Sequence, residues 1–168
     1  MNDQMINRMK TMDRGHFHRL WLKSKHNDMD DITPEDKQLI KIMLKHEDQY
    51  GEIFENPDIS ITDQVDGDAR NNPFLHITIH SILETQLENK DPIEAYQFIL
   101  SMRNRGCTHH EALHLVEVIL VYLFCAAVQQ GMPFDMERYK FLLRKYKKRK
   151  PQKICDLLAQ EFKDIKKI

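Results

Sequence analysis

The chain has 168 residues, of which 41% are hydrophobic and 30% charged, as in a soluble globular protein. Its formal net charge of −1 gives no global signal for nucleic acid or membrane binding. Three cysteines without a C-x-x-C pair, together with only five glycines, argue against a disulfide framework and against a turn-rich all-β fold. We therefore expect a protein of the reducing cytoplasm.

Caps and prolines divide the chain into seven predicted helices. Thr33-Pro34-Glu35-Asp36 is a helix start, Thr108-x-x-Glu111 is a capping box and Gly131 is a helix stop. The predicted ranges are about 3–25, 34–50, 73–89, 91–106, 109–130, 135–149 and 151–167. Because no segment alternates as a strand does, we predict an all-α, up-and-down helical bundle of about five core helices plus C-terminal helices. Residues 1–150 would form one domain and 151–168 a C-terminal helical extension.

The apolar segments are too short to predict a membrane span. The longest uncharged apolar run, Val118 to Val128, has 11 residues, whereas a span needs roughly 20. The N-terminus has no apolar segment of the signal-peptide type. We therefore expect a buried core helix and no membrane partner.

Two histidine pairs with the same spacing are the main functional signal. His76 and His80 lie in the third predicted helix, and His110 and His114 in the fifth. Residues four apart are about 40° apart around a helix, so each pair shares one face. Both faces are apolar, and a buried histidine is costly unless a hydrogen bond or a metal satisfies it.

We predict that the four histidines form one transition-metal site between these two helices, and three further residues are candidates for the same site. Glu84 lies one turn after His80, and Glu117 lies on the face of His114. If successive helices alternate in direction, the third and fifth helices are parallel, and the end of the second brings His46 to the same level. Imidazole with carboxylate and no thiolate suits a transition metal, most readily zinc or iron. In a catalytic version, Glu111 or Glu117 would act as base or hydrogen-bond acceptor.

His110-Glu111-x-x-His114 also matches the H-E-x-x-H motif of zinc hydrolases. Such a site needs a further protein ligand downstream and a substrate cleft, and the capping box already explains Glu111. A zinc hydrolase is therefore a weaker alternative. The other histidines, at positions 16, 18, 26 and 109, are expected in solvent.

A basic run defines the second alternative, a non-enzymatic interaction protein. The run consists of Arg144, Lys145, Lys147, Lys148, Arg149 and Lys150, interrupted by one tyrosine. Such runs are commonly solvated surfaces, and they also bind nucleic acid or acidic proteins. Whether the chain forms oligomers is left open.

The motif Asn72-Pro73-Phe74-Leu75-His76-x3-His80, followed by His110-Glu111-x-x-His114, resembles an uncharacterised bacterial family of unknown function. The resemblance covers about residues 15–130 and includes Trp21, Lys45-His46-Glu47 and Gln86. It implies a small helical protein and supplies no activity. In the family pattern the acid after the second pair stands one residue later, where this chain has Val118, which weakens Glu117 as a ligand.

Overall fold

The computed structural model describes residues 13–56 and 72–163, and within them it contains eight helices and no strand. The predicted all-α helical bundle is confirmed as the fold class. In chain order the helices are α1 (Arg14–Lys25), α2 (Pro34–Lys45), α3 (Glu47–Glu55), α4 (Pro73–Asn89), α5 (Ile93–Arg103), α6 (His109–Gln130), α7 (Met136–Tyr146) and α8 (Pro151–Glu161). The described residues fall into an N-terminal unit, 13–56 with 72–81, and a C-terminal unit, 82–163, and the division lies within α4. The predicted domain boundary at residue 150 stays a prediction.

In the N-terminal unit, α1, α2 and α3 pack against one another around an aromatic core. The ring of Phe17 meets that of Phe74 edge-on at 5.1 Å, and Trp21 lies 5.5 Å from Phe54. All four side chains are buried, and burial of each contributes on the order of 1.5–3 kcal/mol. The predicted extension of α1 back to residue 3 lies outside the described residues.

The second predicted helix is wrong in one respect, because it is broken at His46. It begins as predicted at Pro34, where the Thr33 hydroxyl accepts from the Asp36 N–H at 3.1 Å. His46 leaves the helical conformation (φ −113°, ψ 17°), and α3 then continues from Glu47 to Glu55. The imidazole of His46 donates a hydrogen bond to the Ile42 carbonyl oxygen. The backbone N–H of His46 donates instead to the Met43 carbonyl. The side chain has thus replaced the backbone bond that would have continued α2.

The start of α4 follows the Asn72-Pro73 signal. The side-chain oxygen of Asn72 accepts from the N–H groups of Phe74 and Leu75, at 3.0 and 3.1 Å. Because this cap determines where α4 begins, it places His76 and His80 in the first two turns of the helix.

The C-terminal unit is built around α6, which packs against α5, α7 and α8. The helix begins at the predicted Thr108 capping box and ends at Gly131, whose φ of 62° lies in the left-handed region that favours glycine. Among the described residues, α6 alone is long and apolar enough to cross a membrane. The core helix of a soluble protein passes that same test. The expectation of no membrane partner stays a prediction.

Candidate metal centre

Three buried histidines from two parts of the sequence meet in the N-terminal unit. The ring centroids of His46 and His76 are 4.9 Å apart, those of His46 and His80 5.1 Å, and those of His76 and His80 4.3 Å. Each side chain is at most 7% exposed. A cluster of imidazoles at this depth is costly unless each ring nitrogen has a partner.

The hydrogen bond to Ile42 defines the protonation of the His46 ring. Its Nδ1 lies 2.9 Å from the carbonyl oxygen of Ile42, and a carbonyl can only accept. Nδ1 therefore carries the proton, and Nε2 of the neutral ring presents a lone pair. This is the arrangement in which a metal-binding histidine is oriented by a backbone carbonyl.

The lone pair of His46 faces a second histidine. Its Nε2 lies 3.2 Å from Nε2 of His76. Two nitrogens at about 2.0–2.1 Å from one tetrahedral zinc ion lie about 3.3 Å apart. The distance therefore fits two ligands on a shared ion as well as an N–H···N hydrogen bond.

An aromatic side chain that the sequence analysis missed borders this cluster. The ring of Tyr50 stacks on His46 at 6.2 Å and meets His76 edge-on at 5.7 Å. Phe54 lies behind it, 6.2 Å from Tyr50. Tyr50 stands four residues after His46 within the predicted helix 34–50, so the spacing already placed both residues on one helix face. These rings shield one side of the imidazoles from water.

The second predicted pair lies in the first turns of α6. The rings of His110 and His114 are 4.2 Å apart, as expected for residues four apart on one helix. Nε2 of His114 lies 4.0 Å from a carboxylate oxygen of Glu117, whose side chain is only 13% exposed. His110 is exposed and His114 half-buried, so this pair is less deeply buried than the first.

Glu84, another predicted candidate, contacts a histidine that was expected in solvent. The Glu84 carboxylate lies 3.3 Å from Nε2 of His109, and the Glu84 side chain is 18% exposed. The His109 side chain is still 41% exposed, so an acid on α4 meets the first residue of α6 at the edge of solvent.

His16 and His18, which were also expected in solvent, form hydrogen bonds within the N-terminal unit, and the His16 side chain is still 37% exposed. Nε2 of His16 lies 2.8 Å from the Asp36 carboxylate, and Nδ1 of His18 donates to the Phe54 carbonyl at 2.9 Å. Since the two rings lie on different sides of α1, they tie it separately to α2 and α3. These histidines are structural links in the N-terminal unit.

Glu111, the general base of the H-E-x-x-H alternative, serves the helix cap. The Thr108 N–H donates to its carboxylate at 2.7 Å, and the Glu111 N–H donates to the Thr108 hydroxyl at 3.1 Å. The backbone hydrogen bond from Thr108 is the main reason that the pKa of Glu111 is lowered. A carboxylate held in this way needs no catalytic role to explain it.

The basic run is partly used within the C-terminal unit. Arg144 donates to Glu94 at 2.6 Å, Lys145 to Glu161 at 2.6 Å, and Lys147 to the side chain of Gln97 at 2.8 Å. The remaining three, Lys148, Arg149 and Lys150, are exposed. The structure thus separates a run that looked uniform into cations that bind other side chains of the unit and cations that form no ion pair in the described part of the chain.

The described residues contain buried histidine and glutamate groups whose geometry allows a metal ion to be held. The chain is thus an all-α protein with a buried histidine cluster. Over residues 9–145 it matches the family described as a domain of unknown function (DUF1841), and it belongs to that family. No curated protein and no solved structure matches it. The match confirms the resemblance predicted from the sequence, and it ends within the basic run.

Proposed function

We propose that this protein binds a transition-metal ion through three buried histidines of its N-terminal unit, His46, His76 and His80. The observation that carries the proposal is the pair of facing Nε2 atoms of His46 and His76, 3.2 Å apart inside a buried cluster. A metal ion satisfies both lone pairs at once.

Three imidazoles that meet within one unit support the proposal. The ring centroids of His46, His76 and His80 lie between 4.3 and 5.1 Å apart, and all three side chains are buried. Three protein ligands, with water or substrate in the fourth position, are the arrangement of catalytic zinc sites.

The donor types fit zinc or iron. Neutral imidazole is a ligand for both metals, and the three proposed ligands include no thiolate. A fourth protein ligand would make the site a closed structural one, whereas an open position suits a catalytic site. With an open position, such an ion would supply Lewis acidity to a bound water. The chain's own contribution is to orient His46 through the Ile42 carbonyl and to exclude water with Tyr50 and Phe54.

Element-resolved metal analysis of untagged protein tests the proposal. We expect near-stoichiometric zinc or iron in the wild type, and loss of that metal in His46→Ala and in His80→Ala, since each variant removes one of three proposed ligands. His26→Ala is the matched control, because His26 is exposed at the end of α1 and is not a proposed ligand. That control should keep its metal.

Paired variants separate the two histidine pairs. His76→Ala with His80→Ala should abolish metal binding, whereas His110→Ala with His114→Ala tests the second predicted pair. Cobalt(II) titration of apoprotein, followed by visible absorption, reports ligand geometry separately from metal content. Metal-free wild type that binds neither zinc nor iron(II) on titration would contradict the proposal. The cluster would then be a hydrogen-bonded polar core.

A further inference from the structure

Two separate segments of the C-terminal unit carry cations and no acid. Residues 97–106 contain Arg103 and Arg105, and residues 147–155 contain five lysines or arginines. Six of these seven side chains belong to exposed residues, which we call the basic surface: Arg103, Arg105, Lys148, Arg149, Lys150 and Lys153. The sequence run 144–150 predicted only half of them.

Hydrogen bonds bring the two segments together. The guanidinium of Arg105 donates to the Lys147 carbonyl at 3.4 Å, and the Ser101 hydroxyl donates to the same oxygen at 3.0 Å. The end of α5 therefore lies against the end of α7, directly before the turn that carries Lys148, Arg149 and Lys150. Positive charges from both segments are concentrated there.

The cations of the basic surface differ in pairing from their neighbours. Arg144, Lys145 and Lys140 form ion pairs with Glu94, Glu161 and Glu137. None of the six basic-surface residues forms an ion pair with a carboxylate in the described part of the chain. Their charge is therefore available to an external anion.

The residue types indicate which polyanion fits. Three of the six are arginines, whose forked guanidinium groups match phosphate oxygens. The two segments contain one aromatic residue, Phe98, and it is fully buried, so no platform is present for stacking single-stranded bases. Leu100 is their one exposed large hydrophobic side chain, which leaves little to insert into a membrane.

We propose that the basic surface binds the phosphate backbone of double-stranded nucleic acid, independently of base sequence. Interactions of this kind position a protein on the duplex without reading its bases. The binding is independent of the metal site.

Fluorescence anisotropy with labelled RNA and DNA duplexes of two unrelated sequences tests the proposal. Wild-type affinity should fall steeply between about 50 and 200 mM salt and should be similar for the two sequences. The variant Lys148→Gln/Arg149→Gln/Lys150→Gln should bind at least about tenfold more weakly. Its log–log salt slope should be shallower by about 0.9 for each phosphate that the variant no longer neutralises.

The matched control, Lys140→Gln/Arg144→Gln/Lys145→Gln, removes the same charge from cations that are already paired. It should bind almost as well as the wild type. A second variant, Arg103→Gln/Lys153→Gln, changes only exposed residues outside the run and should also weaken binding. Circular dichroism confirms that each variant is folded.

Several results would overturn the proposal. Failure of the wild-type protein to bind either duplex at about 50 mM salt would contradict the proposal. Equal losses of affinity in the test and control triple variants would also contradict it, because they would indicate an effect of net charge. An unchanged affinity of Arg103→Gln/Lys153→Gln would rule out the two-segment surface. Binding to vesicles of anionic lipid without binding to duplexes would assign the surface to membranes instead.

Discussion

One carboxylate at the end of α8 accepts three hydrogen bonds. Glu161 takes them from Arg138, Lys145 and Tyr146, all on α7. Burial alone would raise the pKa of Glu161, but the bonds from Lys145 and Tyr146 outweigh it, and the pKa is lowered overall. Burial, and then the same hydrogen bond, raise the pKa of the Tyr146 phenol. The ionised form of Glu161 is thus the one that the fold favours.

Glu161→Gln should lower the free energy of unfolding at pH 7 by about 1–2 kcal/mol, since charge-assisted hydrogen bonds are removed. The folded-state pKa lies below the ordinary value of 4.5. The contribution is therefore present above that pH and is lost as the pH falls through the folded-state value. Urea unfolding at pH 7 and at pH 3 should show the gap between wild type and variant closing on acidification. Asp156→Asn changes an exposed acid on the same helix and should unfold with the same free energy as the wild type at pH 7. A difference between the wild type and Glu161→Gln that does not change with pH would refute the ionic role of Glu161.

At the scale of elements, a buried hydrogen bond joins α4 to α7. The hydroxyl of Tyr139 donates to the side-chain carbonyl of Gln86 at 2.9 Å, and both residues are buried. Burial also raises the pKa of the Tyr139 phenol, which keeps it protonated as a donor. The hydrogen bond fixes how two helices far apart in sequence meet within the C-terminal unit.

Tyr139→Phe should cost about 1–3 kcal/mol, because it leaves the buried amide of Gln86 without this donor. Chemical denaturation measures the decrease in stability. The double variant Tyr139→Phe/Gln86→Leu should recover part of it, since no polar group then remains unsatisfied. A double variant less stable than the sum of the single changes would show that the amide has another essential role.

For the molecule as a whole, a metal bound only by the folded state should raise its stability. An ion present at about 100 times its Kd adds about 2.7 kcal/mol, which corresponds to about 5–11 °C in Tm for a chain of this size. Thermal unfolding with zinc or iron(II), and then with a chelator, measures the shift. His80→Ala should show no metal-dependent shift, whereas His26→Ala should keep it. Equal shifts in both variants would place the ion elsewhere.

Local signals predicted most of the helix boundaries and the shared face of each histidine pair. Thr33, Asn72, Thr108 and Gly131 act within three residues of a helix end, so their effects can be seen in the sequence alone. The spacing of His76 with His80, and of His110 with His114, likewise placed each pair on one face. The break at His46 was missed because it depends on a side chain that competes with the backbone for the Ile42 carbonyl.

The sequence by itself determined the all-α class, the helix starts and the shared face of each histidine pair, because these depend on interactions within about one helical turn. Only the tertiary structure decided that His46 faces His76, that Glu84 meets His109 and that Arg105 joins the turn after α7. Those pairs are separated by 30, 25 and 42 residues in sequence. At such separations the partner is set by how whole helices pack, and no local pattern of residues encodes it.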